Sequence, residues 1–69
     1  MTYEEFWVTV LQEHSIQQDD MRLGQRYFNR LAQCRPRAAQ LLQGSNNDPF
    51  YQNRVPFQTH AWTKEFWDR

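Results

Sequence analysis

The sequence predicts an all-α fold, a small single-domain bundle of three to four short helices that takes in residues 1–69. Apolar residues recur at the three- and four-residue spacing of amphipathic helices, and proline and glycine divide the chain into short segments. β-Branched residues are too few to line a sheet. A chain of 69 residues holds one hydrophobic core, and its five Phe, three Tyr and three Trp residues supply most of the apolar area.

Two helices are predicted in the first half of the chain. Thr2 and Glu5 have the spacing of a capping box, which starts a helix over about residues 3–14. Asp19 and Asp20 place negative charge where a second helix, over about residues 20–34, begins. Gly24 within that helix suggests close approach of a neighbouring helix, or simply a weak first turn. The expected inward residues are Phe6, Trp7, Val10, Leu11 and His14 on the first helix and Met21, Gly24, Tyr27, Phe28, Leu31 and Cys34 on the second.

Two further helices are predicted to begin at prolines. A helix over about residues 36–43 starts at Pro36 and ends at Gly44. A turn-rich loop follows, in which Phe50 and Tyr51 are expected to attach the loop to the core. The last helix, over about residues 56–67, is expected to point Phe57, Ala61 and Phe66 inward, with Trp62 and Trp67 widening its aromatic face.

Composition and spacing predict a non-enzymatic cytoplasmic protein. His14, Cys34 and His60 are not spaced as metal ligands, and no glycine-rich phosphate loop is present, so no metal, other cofactor or small-molecule substrate is predicted. Nothing marks an orienting group or an oxyanion hole for a nucleophile at Cys34. No apolar run has the ~18 to 20 residues that span a bilayer, so no membrane partner is expected either.

The formal charge is zero but unevenly distributed. Residues 1–20 contain five carboxylates and no Lys or Arg, whereas residues 21–54 contain six arginines. Arg22, Arg26 and Arg30 repeat at helical spacing, and Arg37 follows. This stripe could bind phosphates or an acidic protein surface, or it could be a solvated face that pairs with the carboxylates of the first helix.

Two other groups of residues have more than one interpretation. Gln25 and Asn29 could contact a partner or could hydrogen-bond the loop at Asp48. Trp62, Phe66 and Trp67 could fill the core or form part of an interface, where Trp is enriched. Trp67, near the C-terminal end, is the tryptophan expected to be exposed.

A GQxxFNxL…P…G…DPFY…W pattern extends through most of the chain. It consists of Gly24-Gln25, Phe28-Asn29, Leu31, Pro36, Gly44, Asp48-Pro49-Phe50-Tyr51 and Trp62. In this pattern the chain resembles small uncharacterised helical proteins of phages and their bacterial hosts, from about Trp7 to Trp67. The resemblance implies a compact helical domain and a phage setting, and it implies no activity.

Together these observations predict a protein-interaction module that binds a host protein or a second copy of itself. The residues expected to bind the partner are Arg22, Arg26, Arg30, Arg37, Trp62, Phe66 and Trp67. The alternative function is association with a nucleic acid through Arg22, Arg26 and Arg30.

Overall fold

The computed structural model describes residues 1–17 and 19–67 and confirms the all-α fold. Its four helices are α1 (Tyr3–Ile16), α2 (Leu23–Cys34), α3 (Pro36–Leu42) and α4 (Phe57–Trp67). No strand occurs within the described residues. None of the helices in that part of the chain combines the length and the apolar character that crossing a membrane requires.

The capping box predicted at the start of α1 is present. Thr2 Oγ1 accepts a hydrogen bond from the Glu5 amide at 3.1 Å, and the Glu5 carboxylate accepts one from the Thr2 amide at 2.8 Å. α1 buries Tyr3, Phe6 and Val10, with Trp7 half-buried beside them. Leu11, expected to point inward, is 40% exposed, so the buried stripe is narrower than predicted.

The second helix begins later than predicted. Asp19 does not cap it, because its Oδ1 accepts from the Met21 amide at 3.1 Å within the connection before the helix. Arg22 is the N-cap residue and has extended backbone dihedral angles. α2 therefore starts at Leu23, and it buries Gly24, Arg26, Tyr27 and Leu31.

Gly24 is the point where the loop between α3 and α4 contacts α2. The Gly24 amide donates to the Gln52 carbonyl at 3.0 Å, and a Cβ at Gly24 would lie only 1.8 Å from the Pro49 carbonyl oxygen. Gly24 thus allows close approach of a neighbouring segment, as one of its two interpretations expected, but that segment is a loop and not a helix. Pro49 is fully buried there, Phe50 is half-buried and Tyr51 is exposed.

Asp48 organises the same loop from within. Its carboxylate accepts from the Gly44 amide at 2.8 Å and from the Phe50 amide at 3.0 Å. Bonds from Gln25 and Asn29 to this loop were one of two interpretations of the sequence. In the structure, amides of the loop's own backbone donate to the Asp48 carboxylate instead. The Asn29 amide lies instead 3.8 Å from Met21 Sδ.

The buried face of α4 differs from the predicted one. It consists of Thr59, Thr63 and Trp67, whereas Phe57 is 85% exposed and Ala61 is exposed. Thr59 is turned inward because its hydroxyl donates to the Asn47 carbonyl at 2.6 Å, which ties α4 to the preceding loop.

The prediction that Trp67 is exposed is wrong. Its side chain is 7% exposed, and its indole Nε1–H donates to the Met1 carbonyl at 2.9 Å. The Arg35 guanidinium covers the ring at 4.2 Å from the centroid. Trp67 belongs to the core because the chain segments before α1 and α3 close over it.

Candidate protein-binding surface

The structure does not bring the seven predicted partner-binding residues onto one surface. Trp67 is in the core, and Arg26 and Arg30 of α2 are held by carboxylates. Arg37, Trp62 and Phe66, in contrast, line a continuous groove between α3 and α4.

Arg26 is a structural residue. It is 3% exposed, and its guanidinium contacts Asp19 Oδ1 at 2.5 Å and Glu13 Oε1 at 3.4 Å. Its Nε–H also donates to His14 Nδ1 at 3.1 Å. The expectation that this arginine meets a partner is inconsistent with its burial, because no partner atom can reach it in the folded chain.

The other two arginines of the stripe also have partners within the chain. Arg30 forms an ion pair with Glu13, and Arg22 donates to the Tyr51 carbonyl at 3.3 Å. Packing of α1 against α2 brings Glu13 over the stripe. Of the interpretations open from the sequence, the structure thus supports pairing with the carboxylate of the first helix at Arg26 and Arg30.

We call the surface between the two last helices the α3–α4 groove. Ala38 and Leu41 of α3 line one side, and the half-buried Trp62 and Phe66 of α4 line the other. The Trp62 and Phe66 rings are stacked, with centroids 5.4 Å apart and an interplanar angle of 16°. Leu41 is 51% exposed, although it lies beside this aromatic pair.

The groove has two continuous parts. The larger, about 570 Å³, extends over the α2–α3 junction, and the smaller, about 390 Å³, extends toward Trp62 and Glu65. Leu41 and Phe66 line both parts, so a single apolar strip connects them. Among the described residues, the lining consists of Cys34, Arg35, Pro36, Arg37, Ala38, Leu41, Trp62, Glu65 and Phe66.

The two ends of the groove carry opposite charge. Arg35 and Arg37 border the larger part, and Glu65 borders the smaller part. Arg35 stacks on Trp67 and donates to the Cys34 carbonyl at 2.9 Å, which holds its guanidinium in place. Arg37 is exposed and forms no ion pair with any residue in the ranges 1–17 and 19–67.

The titratable groups of the core form a separate polar network. The Tyr3 hydroxyl lies 2.7 Å from the Tyr27 hydroxyl and 2.6 Å from His60 Nδ1. Burial is the main cause that raises the pKa of both phenols, and burial lowers the pKa of His60. The three side chains are therefore neutral at pH 7, which suits a structural network that joins α1, α2 and α4.

No group of three or more His, Cys, Asp or Glu side chains is placed to hold a metal ion within the described part of the chain. His14 bonds Arg26, His60 bonds Tyr3, and Cys34 borders the α3–α4 groove. The side chains of His14, Cys34 and His60 thus lie in three separate places.

Sequence reasoning missed Leu41 as a member of the groove. The available signal was the pair Leu41-Leu42 in a short helix, since adjacent helical residues point to different sides. Leu42 is fully buried, which leaves Leu41 facing outward. Cys34, placed in the core by its spacing, is half-buried at the edge of the same groove.

Comparisons of the chain with protein-family models, with curated protein sequences and with solved structures gave no significant match. The class of molecule is therefore defined by the fold alone. It is a small all-α protein with four helices in its described residues.

Proposed function

We propose that this chain is a small non-enzymatic protein-interaction module and that the α3–α4 groove is its binding surface. The observation that carries the proposal is the half-exposed Leu41 beside the stacked rings of Trp62 and Phe66, in one apolar strip. Arg37 borders this strip and forms no ion pair with the residues that the structure describes. Aromatic residues and arginine are the types that dominate binding energy at protein interfaces.

The physical support is the cost of leaving this strip in water. Removing apolar surface from water lowers the free energy by about 25 cal/mol per Å². Covering Leu41 and the outer edges of the two rings therefore favours association. The network of Tyr3, Tyr27 and His60 holds α4 in place behind the strip, and α3 is fixed by Ala38, Ala39 and Leu42 in the core. A partner would thus meet a surface that is already formed, which reduces the ordering cost of binding.

Nucleic-acid binding has less support as the alternative function. It was predicted from Arg22, Arg26 and Arg30, and two of these three guanidinium groups are neutralised by Glu13 and Asp19. A nucleic-acid complex of this chain would weaken steeply with added salt, whereas binding in the α3–α4 groove would depend on salt much less.

The proposal is tested by comparing two charged substitutions at exposed apolar residues. Leu41→Glu places a carboxylate in the groove, and Phe57→Glu places one at an exposed residue that does not line it. Both proteins and the wild type are used to capture partners from a bacterial lysate, with quantification by mass spectrometry and helicity checked by circular dichroism. We expect partner proteins that Phe57→Glu retains and Leu41→Glu loses.

Self-association of the wild type that Leu41→Glu abolishes would support the proposal equally. It is overturned if Leu41→Glu and Phe57→Glu retain the same partners and the same oligomeric state. The resemblance to proteins of phages and their hosts, together with a lone cysteine, makes the bacterial cytoplasm the proposed setting.

A further inference from the structure

We propose that the occupant of the α3–α4 groove is a second copy of this chain, bound about a two-fold axis. The stacked Trp62 and Phe66 of each copy pack on Leu41 of the other, and Arg37 of each copy faces Glu65 of the other. This inference rests on the function proposed above, and it specifies the partner and the arrangement.

The charge distribution along the groove is the first argument. The strip formed by Leu41 and Phe66 has Arg37 at one end and Glu65 at the other. A two-fold axis through the middle of such a strip superposes each end on the opposite end of the second copy. The positive end then meets the negative end twice, so the surface is complementary to itself. Arg37 of the second copy adds to whatever contacts Glu65 makes within its own chain.

The charge of the whole molecule is the second argument. The formal net charge is zero at pH 7, so two copies approach without the long-range repulsion that keeps strongly charged proteins apart. A partner selected only for an acidic surface would match Arg37 and would be repelled by Glu65. The second copy matches both.

The size of the groove sets the strength of the dimer. α4 has eleven residues and is therefore about 16 Å long, and the face is two helices wide, about 20 Å. Stable interfaces bury about 800 Å² on each partner, close to a sixth of the 4785 Å² surface of this chain. A flat face of these dimensions covers only about 320 Å², less than half of that value, so we expect a weak, reversible dimer with a dissociation constant in the upper micromolar range.

The test is a charge exchange followed by sedimentation equilibrium on the intact chain, at protein concentrations from about ten to about 500 micromolar. Arg37→Glu brings two carboxylates together at each end of the interface, and Glu65→Arg brings two guanidinium groups together. We expect each single substitution to raise the dissociation constant at least about fivefold, since an attractive pair becomes a repulsive one. The double variant should restore it to within about threefold of the wild type. Arg54→Glu, at an exposed arginine that does not line the groove, should leave it unchanged.

Cys34 provides a second measurement that needs no substitution. Its side chain borders the larger part of the groove, so its alkylation rate should fall as the wild-type concentration rises through the dissociation constant. In Leu41→Glu the rate should be independent of concentration.

Three results would overturn the proposal. A wild type that is monomeric throughout the range removes the dimer, while the lysate comparison still tests the groove against a foreign protein. A dimer that neither single substitution weakens lies on a different surface. A double variant as weak as the single ones contradicts the two-fold pairing of Arg37 with Glu65.

Discussion

The hydroxyl of Tyr3 lies 2.6 Å from Nδ1 of His60, and this single contact joins the first turn of α1 to the first turns of α4. The same hydroxyl is 2.7 Å from that of Tyr27 on α2, so one oxygen connects three helices. Tyr3 and Tyr27 are buried, and His60 packs edge-on against Trp7 with ring centroids 4.4 Å apart. With a neutral His60, Tyr3 donates to Nδ1 and Tyr27 donates to Tyr3, which gives each of the two phenol protons an acceptor.

This arrangement predicts a loss of stability in mild acid. Burial lowers the pKa of His60 below its ordinary value of 6.5. Between the lowered pKa and 6.5, the unfolded chain therefore binds a proton that the folded chain does not. The contribution of a neutral His60 is complete above about pH 6.5 and decreases as the pH falls through and below that value. Urea unfolding from pH 8 to pH 5 measures this dependence. The difference between wild type and His60→Gln isolates it, because His14 is present in both. Parallel profiles for the two proteins would contradict the assignment.

The buried Arg26 is expected to contribute strongly to stability. Arg26→Met keeps the apolar part of the side chain and leaves Glu13 and Asp19 without their shared cation. Removing one member of a buried ion pair costs about 3 to 5 kcal/mol, and the partial exposure of both carboxylates reduces the expected value to about 2 kcal/mol. Chemical denaturation measures it. Arg54→Met, at an exposed arginine, should change the free energy of unfolding by less than about 0.5 kcal/mol. Equal effects at the two sites would show that Arg26 has no structural role.

The two glycines are expected to respond differently to alanine. Alanine is normally the better helix former, but in Gly24→Ala the new Cβ would overlap the Pro49 carbonyl oxygen and its backbone. The loop must move, and we expect a cost of about 3 kcal/mol. Gly44 has a φ of 76° and open space around it, so Gly44→Ala should cost only about 1 kcal/mol of backbone strain. Thermal unfolding compares the two. A Gly24→Ala protein as stable as the wild type would mean that the loop does not pack on α2 as described.

The two buried threonines of α4 form a matched pair for substitution by valine. Thr59→Val removes the bond to the Asn47 carbonyl and should cost about 1 to 2 kcal/mol. Thr63 Oγ1 is buried near the Tyr27 hydroxyl without a hydrogen bond of good geometry. Thr63→Val should therefore be neutral or slightly stabilising. Calorimetry on both variants tests the order, and a larger loss for Thr63→Val would indicate that its hydroxyl takes part in the tyrosine network.

Local chemistry made several of the helix ends in this chain predictable. The capping box at Thr2, the start of α3 at Pro36 and the turn at Gly44 each depend on a few neighbouring residues, and the structure has all three. The start of α2 was misplaced because Asp19 has two possible uses. It could cap the second helix, or it could bind other groups. Its carboxylate binds the Met21 amide and the distant Arg26, and only the packing of α1 on α2 determines this outcome.

The orientation of α4 was not predictable from its own sequence. Aromatic residues lie on every side of this helix, so the apolar spacing does not select one face. Contacts with other segments determine which face is buried. Thr59 bonds the Asn47 carbonyl and Thr63 fills space in the core. Trp67 turns inward, where its indole N–H has the Met1 carbonyl as acceptor. Spacing placed Arg26 and Arg30 on one face of α2, but it could not show that Glu13 lies opposite them. The groove was foreseen only at Arg37, Trp62 and Phe66.

The bond between the Trp67 indole and the Met1 carbonyl also makes neighbours of the first and the last residues described. The path of the backbone from Met1 to Trp67 thus returns close to its starting point. The packing of the helices therefore does not depend on which of them comes first in the chain. A short linker from Trp67 to Met1, with a new opening at the exposed residues 45–46, would give a circular permutant in which we expect the four helices to keep their packing. The four helices are in that sense arranged as a ring, which can be opened within a loop without separating their packed faces.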